Sequence, residues 1–280
     1  MKPSSKIGIG SVQFGLPYGI SNSTGQTSKE EVAEILDCAY NNGIRILDTA
    51  AAYGTSERVI GELHNGRFQL VSKFMPPASD ESIADLLCKS LDNLQADSLY
   101  GFLAHRPLEL LSNPKVWVDL QALKAQNKIL KIGFSLNSPE EFYQLKTAGL
   151  NPDLVQFPFN YFDNRFKEIG EQLKAEGCEI HTRSVFLQGL FFLDTEQLSP
   201  FFEECKPQLE YLHHYYGTQL YGALLQYVLQ QDFVDVVVMG VENAEQLQYN
   251  ISAVYKAPVL TSLNTTFSDQ IIMPMYWPKN

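Results

Sequence analysis

Short runs of apolar residues, each of strand length, recur along the whole chain. Within each run the apolar residues follow one another almost continuously instead of alternating with polar ones. That pattern is typical of strands buried on both faces of a parallel sheet. It predicts eight strands, at residues 6–14, 44–50, 68–74, 99–105, 129–135, 154–159, 179–185 and 234–240.

Amphipathic segments with the apolar spacing of helices separate these runs. They predict eight helices, at residues 28–43, 55–64, 80–94, 114–127, 138–149, 163–176, 217–231 and 243–253. The first helix begins at Ser28 with Glu31 three residues later, which predicts a capping box, and it ends at Gly43. A second capping box is predicted at Ser138 and Glu141.

Eight alternations of strand and helix in 280 residues predict an α/β fold, a closed (β/α)8 TIM barrel with a parallel eight-stranded sheet. The main alternative is a doubly wound open sheet, but the first strand reads GIGSVQFG and lacks a GxGxxG motif. Residues 186–216 are long enough for an additional helix, and the tail from Ala257 onward is irregular. No linker divides the chain, so we expect one domain over residues 1–280.

Composition narrows the class of protein. The net charge of −11 argues against a nucleic-acid surface, which needs clustered Lys and Arg. No apolar run is long enough to cross a bilayer, and the N-terminus does not resemble a signal peptide. The four cysteines are far apart, which suits reduced thiols better than disulfides or zinc: Cys38, Cys88, Cys178 and Cys205. We therefore expect a cytoplasmic protein with no membrane or nucleic-acid partner.

Four polar residues lie at or just after the ends of consecutive predicted strands. Asp48 ends the second strand, Tyr53 follows it, Lys73 ends the third strand, and His105 ends the fourth. The carboxyl ends of barrel strands meet at one face, where the active sites of such barrels are built. Taken alone, Asp48 is more often a helix cap or a solvated rim residue, Lys73 a solvated rim residue and Tyr53 a core aromatic. The four together suggest a shared site.

The chemistry of this group is coherent. A phenol has a pKa of about 10, and a nearby ammonium favours its ionised form. A carboxylate can hold the lysine in place, and an imidazole can orient a substrate oxygen. The group therefore suits a tyrosine acting as general acid beside a carbonyl group.

The segment DTAAAYG at 48–54, followed by Ser56 and Glu57, resembles the Asp-Thr-Ala-x-x-Tyr-Gly signature of the aldo/keto reductases. The opening GSVQFG resembles that family's Gly-Thr-x-x-x-Gly strand, and the resemblance extends from Ile7 to Ala253. It implies an (α/β)8 barrel and NAD(P)H-dependent reduction of an aldehyde or ketone. Tyr53 would donate the proton, with the catalytic support of the other three residues.

The resemblance also implies a set of residues that bind the nicotinamide half of a cofactor. Ser135 and Gln156 would contact the carboxamide, and Arg183 stands where the family commonly stacks an aromatic ring. A planar guanidinium can also stack on a ring. Backbone amides after the seventh strand would cradle the pyrophosphate. The remaining candidates in this half are Gly10, Ser11, Val12, Ser184, Phe186, Leu187, Gln188 and Gly189.

The adenosine end departs from the family pattern. Many members have a lysine at the position of Gly240 and an arginine at that of Gln246, where a 2′-phosphate binds. Asn250 matches the usual adenine contact, while Glu242 would repel a phosphate and suit a ribose hydroxyl. The resemblance narrowly favours NADP(H), and these residues leave NAD(H) open.

Two other functions compete with a reductase. Lys73 could be the Schiff-base amine of a barrel aldolase, or the chain could be a nicotinamide-binding sensor or accessory subunit with little turnover. No HExxH pattern is present, so we expect no metal site. The substrate would be a small carbonyl compound, and the oligomeric state is left open. Candidate aromatic walls of its pocket are Phe14, Tyr18, Phe159, Phe186, Phe192 and Trp277.

Overall fold

The computed structural model describes residues 3–22, 24–78, 80–261, 263 and 265–278. Eight parallel strands form a closed barrel in which each strand pairs with the next and β8 pairs with β1. The strands are β1 Ile7–Gly10, β2 Ile46–Asp48, β3 Gln69–Phe74, β4 Leu99–Ala104, β5 Ile129–Ser135, β6 Leu154–Pro158, β7 Glu179–Arg183 and β8 Val236–Gly240. The predicted (β/α)8 barrel is confirmed.

Helices surround the barrel between successive strands. They are α1 Val12–Gly15, α2 Lys29–Asn41, α3 Ser56–Leu63, α4 Ile83–Leu94, α5 Glu109–Ser112, α6 Lys115–Ala125, α7 Pro139–Thr147, α8 Lys167–Ala175, α9 Lys206–Tyr216, α10 Leu220–Leu229, α11 Ala244–Val254 and α12 Asp269–Ile272. The eight predicted helices are present, and α9 is the additional helix expected in residues 186–216. The first strand is shorter than predicted because the chain turns into α1 directly after Ser11.

The continuous apolar runs arise because both faces of each strand are covered. In β8, Val237 faces the layer of helices, while Val236 and Val238 belong to a separate apolar cluster in the barrel interior. Residues 236–239 are all buried. A strand in this position has no solvent-facing side, so polar residues do not alternate with apolar ones.

Polar side chains close the amino-terminal end of the barrel. Glu179 accepts hydrogen bonds from His181 Nε2 and from Tyr100 Oη, both at 2.7 Å, and it forms an ion pair with Lys131. Burial alone would raise the pKa of Glu179, but hydrogen bonds from these three side chains lower it to about 2. The open end of the barrel is therefore the one formed by the carboxyl ends of the strands.

The first predicted capping box forms only in part. Ser28 Oγ accepts a hydrogen bond from the Glu31 amide at 3.2 Å, as expected. The Glu31 carboxylate, however, accepts from the backbone amide of Ala244 at 2.8 Å. This contact connects α2 to the first turn of α11, so a distant partner takes the place of the local one.

The second predicted capping box is wrong. Ser138 makes no side-chain cap, and the Glu141 carboxylate accepts instead from the Asn137 amide at 2.6 Å. A complete box is found at the start of α4, where Ser82 and Asp85 bond to each other's amides at 3.2 and 2.9 Å. Aspartate at the third helical position supports the reciprocal bond here in place of the usual glutamate.

A second apolar cluster joins α9 and α10 to the C-terminal tail. Phe202, Leu209 and Leu224 pack there with Ile271 and Trp277, all of them buried. The tail is irregular as predicted, except for α12 and one 3-10 turn at Pro274–Tyr276. This packing fixes the tail against the open end of the barrel. Within the described residues, every helix is too short or too polar to span a bilayer.

Candidate active site

A buried ion pair lies at the carboxyl ends of β2 and β3. Lys73 is completely buried, and its Nζ donates to Asp48 Oδ2 at 2.6 Å and to the Thr49 carbonyl oxygen at 2.9 Å. Gln156 Nε2 donates to the other Asp48 oxygen at 2.7 Å. A buried charge needs such partners, because desolvation without them is very costly. Lys73 and Asp48 therefore form an ion pair below the surface of the site.

Tyr53 lies directly beside this pair. The Lys73 Nζ is 5.2 Å from the centroid of the Tyr53 ring. The ring of His105 meets the Tyr53 ring edge-on, with centroids 5.9 Å apart and an interplanar angle of 84°. The structure thus brings together the four residues that the sequence analysis selected.

The loop that carries Tyr53 is fixed by close backbone packing. A Cβ atom at Gly15 would lie 1.8 Å from the Tyr53 carbonyl oxygen, and one at Gly54 would lie 2.5 Å from the Gly15 carbonyl oxygen. Gly54 also has φ +58°, in the left-handed region that glycine tolerates best. The loops after β1 and β2 can approach this closely only because both positions are glycine.

A group of hydroxyls holds the same loops together. Ser56 Oγ donates to the Ser11 carbonyl oxygen at 2.9 Å and lies 2.7 Å from the Ser11 hydroxyl and 3.1 Å from that of Thr49. Glu57, the next residue, accepts from Ser72 Oγ at 2.6 Å. All of these side chains are buried. The Ser-Glu pair after the signature therefore stabilises the position of the loop.

His105 is held in its neutral form. Burial lowers the pKa of His105 to about 4, and the nearby positive charges of Lys73 and Arg183 add to this effect. At neutral pH one ring nitrogen is then a donor and the other an acceptor. The buried Nδ1 has no hydrogen-bond partner among the described residues. A neutral imidazole in this place can donate one hydrogen bond to a ligand.

A cavity of roughly 670 Å³ opens at this end of the barrel. Asp48, Tyr53 and His105 line it. So do most of the predicted cofactor-binding residues, namely Gly10, Ser11, Val12, Ser135, Arg183, Ser184, Phe186, Gln188, Gly189, Gly240, Glu242 and Gln246. One continuous cavity therefore reaches from the Tyr53 phenol to the loop after β8.

Four predicted site residues do not line the cavity. Lys73, Gln156 and Leu187 are completely buried, and Asn250 is 1% exposed. Gln156 directs its amide nitrogen to Asp48 instead of the cavity, and Leu187 packs in the second apolar cluster. Lys73 sits behind the cavity wall and reaches it only through its neighbours.

The predicted pyrophosphate cradle is also only partly available. The backbone amides of Leu187 and Gly189 donate to the carbonyl oxygens of Ser184 and Phe186, at 2.9 and 2.8 Å. These amides are used in tight turns, so they are not free donors for a ligand. Positive φ values at Ser184, Leu187 and Gln188, between 46° and 63°, give this segment its sharp path.

Arg183 extends into the cavity from the end of β7. Its Nη2 donates to the Leu136 carbonyl oxygen at 3.0 Å and to Asn137 Oδ1 at 2.8 Å. Asn137 lines the cavity two residues after Ser135. The sequence analysis missed Asn137, although an asparagine so close to Ser135 was a usable signal.

The loops after β1 and β7 touch across the cavity. The Ile20 amide donates to the Gln188 carbonyl oxygen at 3.1 Å, and Gln188 Nε2 donates to Tyr18 Oη at 2.9 Å. Burial raises the pKa of the Tyr18 phenol. We call this contact between residues 18–20 and Gln188 the loop bridge.

The cavity walls are partly those predicted. Tyr18, Phe186 and Phe192 line the cavity, but Phe14 and Phe159 are completely buried elsewhere. Trp277 belongs to the second apolar cluster, where its Nε1 donates to the Ile271 carbonyl oxygen at 3.0 Å. The sequence analysis missed further wall residues, which are Gln13, Gly19, Ser21, Pro158, Val185, Tyr221, Val238, Val241, Ile272, Met273, Pro274 and Met275.

The residues present fit a nicotinamide dinucleotide. Gln156 Oε1 and Asn250 Oδ1 are buried and have no hydrogen-bond partner among the described residues, so both are free acceptors. Neither side chain lines the cavity, so amide and amino hydrogens of the kind found on nicotinamide and adenine would satisfy these oxygens once the cavity wall rearranges around the cofactor. Among the described residues, no three His, Cys, Asp or Glu side chains are grouped to hold a metal ion.

Comparison with known proteins agrees with this geometry. A model of the aldo/keto reductase family matches residues 6–265. The chain belongs to the aldo/keto reductase family. Its members are oxidoreductases that use nicotinamide cofactors on small carbonyl compounds.

This aldo/keto reductase is similar to two proteins of Bacillus subtilis (strain 168). Glyoxal reductase is 32% identical over 183 residues, which are 62% of this chain and 64% of that relative. The match thus spans just under two thirds of the relative. The uncharacterized oxidoreductase YqkF is 25% identical over 282 positions, covering 89% of this chain and 87% of that one.

Solved structures support the fold of this aldo/keto reductase. The holo form of aldo-keto reductase AKR11C1 from Bacillus halodurans superposes with a TM-score of 0.73 at 20% identity. The superposition covers 95% of this chain and 94% of that chain.

Proposed function

We propose that this protein uses a reduced nicotinamide cofactor to convert an aldehyde or ketone to an alcohol, with Tyr53 as general acid. The observation that carries the proposal is the buried Lys73 ammonium, paired with Asp48 and 5.2 Å from the Tyr53 ring. A fixed positive charge beside a phenol stabilises the phenolate that proton donation leaves behind.

The cofactor would supply hydride to the carbonyl carbon. As the bond between carbon and oxygen becomes single, the carbonyl oxygen takes the proton of the Tyr53 hydroxyl. The Lys73 ammonium stabilises the resulting phenolate, and Asp48 keeps that ammonium charged and in place. The phenol regains its proton from solvent after the alcohol leaves.

His105 would position the substrate. With a pKa near 4, its imidazole is neutral at physiological pH and can donate one hydrogen bond to the carbonyl oxygen. An imidazolium at the same place would compete with Tyr53 as the proton donor. The depressed pKa therefore favours a single general acid.

A barrel aldolase is less well supported. A Schiff base would require the Lys73 nitrogen to reach the substrate, yet this side chain is completely buried and does not line the cavity. Its nitrogen already bonds to Asp48 and Thr49. The geometry favours a supporting role for this lysine.

The residues that bind the cofactor are proposed to be those lining the cavity between Ser135 and Glu242, with Gln156 and Asn250 as buried acceptors. The family resemblance favours NADP(H). One relative is named glyoxal reductase. A substrate panel should therefore begin with small dicarbonyl compounds, and with glyoxal first among them.

The test is oxidation of NADH and NADPH, followed by absorbance, with a panel of aldehydes, ketones and dicarbonyls. We expect Tyr53→Phe to lower kcat by roughly 10²–10⁴-fold while cofactor affinity stays unchanged. Tyr143→Phe is the matched control, because Tyr143 is 55% exposed on α7 and away from the cavity. Full turnover by Tyr53→Phe would refute the general-acid role.

Cofactor binding without turnover in the wild-type protein would favour the sensor or accessory-subunit alternative. Calorimetric titration with each cofactor separates this outcome from a failure to bind. The same titration shows whether an inactive variant still holds its cofactor.

A further inference from the structure

The part of the cavity formed after β8 carries negative charge and, among the described residues, no positive charge. It is formed by the loop between β8 and α11, where Gly240, Val241 and Glu242 line the cavity together with Gln246. Among the described residues that line the cavity, Arg183 is the only lysine or arginine, and it is bound to Leu136 and Asn137 after β5.

Glu242 is held in place as a cavity wall. Its backbone amide donates to Gln246 Oε1 at 2.8 Å, and this bond ties the backbone of the loop at Glu242 to the side chain of Gln246 on α11. Burial raises the pKa of the Glu242 carboxyl group. Glu242 has no ion pair within the described part of the chain, so its carboxylate oxygens remain available to a ligand.

The first turn of α11 has few free backbone amides for an anionic ligand. A helix N-terminus attracts anions through free amides. Here the Ala244 amide already donates to the Glu31 carboxylate at 2.8 Å, and the Gln246 amide donates to Asn243 Oδ1 at 2.7 Å. A carboxylate from α2 thus already takes one of the amides that could bind an anion. Two carboxylates, Glu31 and Glu242, surround this helix end.

We propose that the cavity is built for NADH, with Glu242 accepting hydrogen bonds from the hydroxyl groups of the adenosine ribose. This inference rests on the proposed function, because it assumes a nicotinamide dinucleotide in the cavity. A free 2′-hydroxyl is a donor that suits a carboxylate acceptor. A 2′-phosphate instead has a charge of roughly −1.5 to −2 at neutral pH, which a carboxylate repels.

The proposal reverses the cofactor preference that the family resemblance suggests. The positions of Gly240 and Gln246, which are basic in many members, are neutral here, and the described structure brings no other basic residue to replace them. Repulsion between Glu242 and a phosphate would act at short range in a partly buried site, where screening by water is weak.

The test is calorimetric titration of the full chain with NADH, NADPH, ADP-ribose and 2′-phospho-ADP-ribose. We expect the two ligands without a 2′-phosphate to bind at least tenfold more tightly than their phosphorylated counterparts. ADP-ribose has no nicotinamide, so it reports on the adenosine end alone and requires no turnover.

Two variants measure the effect of the Glu242 carboxylate on cofactor preference. We expect Glu242→Gln to weaken NADH and strengthen NADPH, which reduces the preference about tenfold. Glu245→Gln removes the same charge three residues further along the chain, in the first turn of α11, but Glu245 is exposed and does not line the cavity. This control should leave the ratio of the two affinities within about twofold of wild type.

A measurement on the wild-type protein covers the case in which a variant fails to fold. In the wild-type protein alone, competition between ADP-ribose and 2′-phospho-ADP-ribose for the cavity should favour ADP-ribose at least tenfold. Tighter wild-type binding of NADPH, or an unchanged preference in Glu242→Gln, would overturn the NADH proposal and leave the reductase intact. Binding of none of the four ligands would refute both proposals.

Discussion

Replacing Lys73 with methionine should destabilise the barrel strongly, because the change leaves Asp48 buried without its cation. Lys73 is completely buried and Asp48 is 3% exposed, with 2.6 Å between Nζ and Oδ2. Removing one partner of such a pair costs about 3–5 kcal/mol of unfolding free energy. Asp48→Asn should cost about the same or somewhat less.

The smaller cost of Asp48→Asn has a local reason. The new amide nitrogen would face Gln156 Nε2, so two hydrogen-bond donors would oppose each other. Gln156 Oε1 has no partner among the described residues, so its amide group can rotate and accept the new hydrogen. One lost hydrogen bond is thereby restored, worth about 1 kcal/mol.

The double variant Lys73→Met with Asp48→Asn completes a thermodynamic cycle. At 2.6 Å the gross Coulomb attraction is roughly 6 kcal/mol with an effective dielectric constant of 20. Desolvation of both charges offsets part of this. We therefore expect the double variant to be about 2–4 kcal/mol more stable than the sum of the single changes predicts.

Urea unfolding measures the cycle. Trp117 and Trp277 are buried, at 5% and 8% exposure, so their fluorescence reports on unfolding in two parts of the molecule. Coincident transitions by fluorescence and circular dichroism are required before free energies are compared. A coupling energy below about 0.5 kcal/mol would refute the idea of a tightly coupled buried pair.

Three further results are expected. The pKa of His105 is lowered from 6.5 to about 4 in the folded protein, so between pH 4 and pH 6.5 the folded state binds fewer protons at this residue than the unfolded state does. His105 therefore contributes stability above pH 6.5 that is lost as the pH falls towards 4. His105→Asn should remove at most about 3 kcal/mol of that acid sensitivity in urea titrations from pH 7 to 4, and an unchanged pH dependence would contradict it. In Gly15→Ala the new Cβ would lie 1.8 Å from the present position of the Tyr53 carbonyl oxygen and would push that carbonyl away. Turnover should then fall about 100-fold, while ADP-ribose should still bind. Burial raises the pKa of Cys178 to about 12, so a thiol reagent at pH 8 should label exposed Cys88 at least about tenfold faster, which mass spectrometry of digested protein can check.

The barrel could be predicted from the sequence because the local patterns of strands and helices agree with the overall topology. Each strand is a short apolar run buried on two sides, and each is followed by an amphipathic helix, so the alternation itself specifies the topology. The helix caps were less predictable. The Glu31 carboxylate bonds to Ala244, which is 213 residues away, and no local pattern contains such a contact.

The polar group around Tyr53 was predictable because strand ends share one edge of the barrel. The sequence places Asp48 and Lys73 at two such ends, and strand pairing brings them together. Burial could not be inferred in the same way. Leu187 and Trp277 stood in segments assigned to the site, yet both pack into the second apolar cluster.

The tail residues of the cavity wall had no detectable signal. Ile272, Met273 and Met275 reach the cavity through an irregular path that depends on packing against α9 and α10. Asn137 was missed although it lies only two residues after Ser135, a predicted site residue. Residues that reach a site by tertiary packing alone leave no period in the sequence.

Closure of the barrel between β1 and β8 has a consequence for synthesis of the chain. β1 is made first, but the strand that pairs with its second edge begins only at Val236. At roughly 5–20 residues per second, a ribosome needs roughly 10–45 s to reach it. During that interval the nascent chain carries an unpaired strand edge, which invites wrong pairing with other chains. Newly made protein is therefore open to such mispairing until the last strand arrives, whereas the finished ring has no edge left to protect.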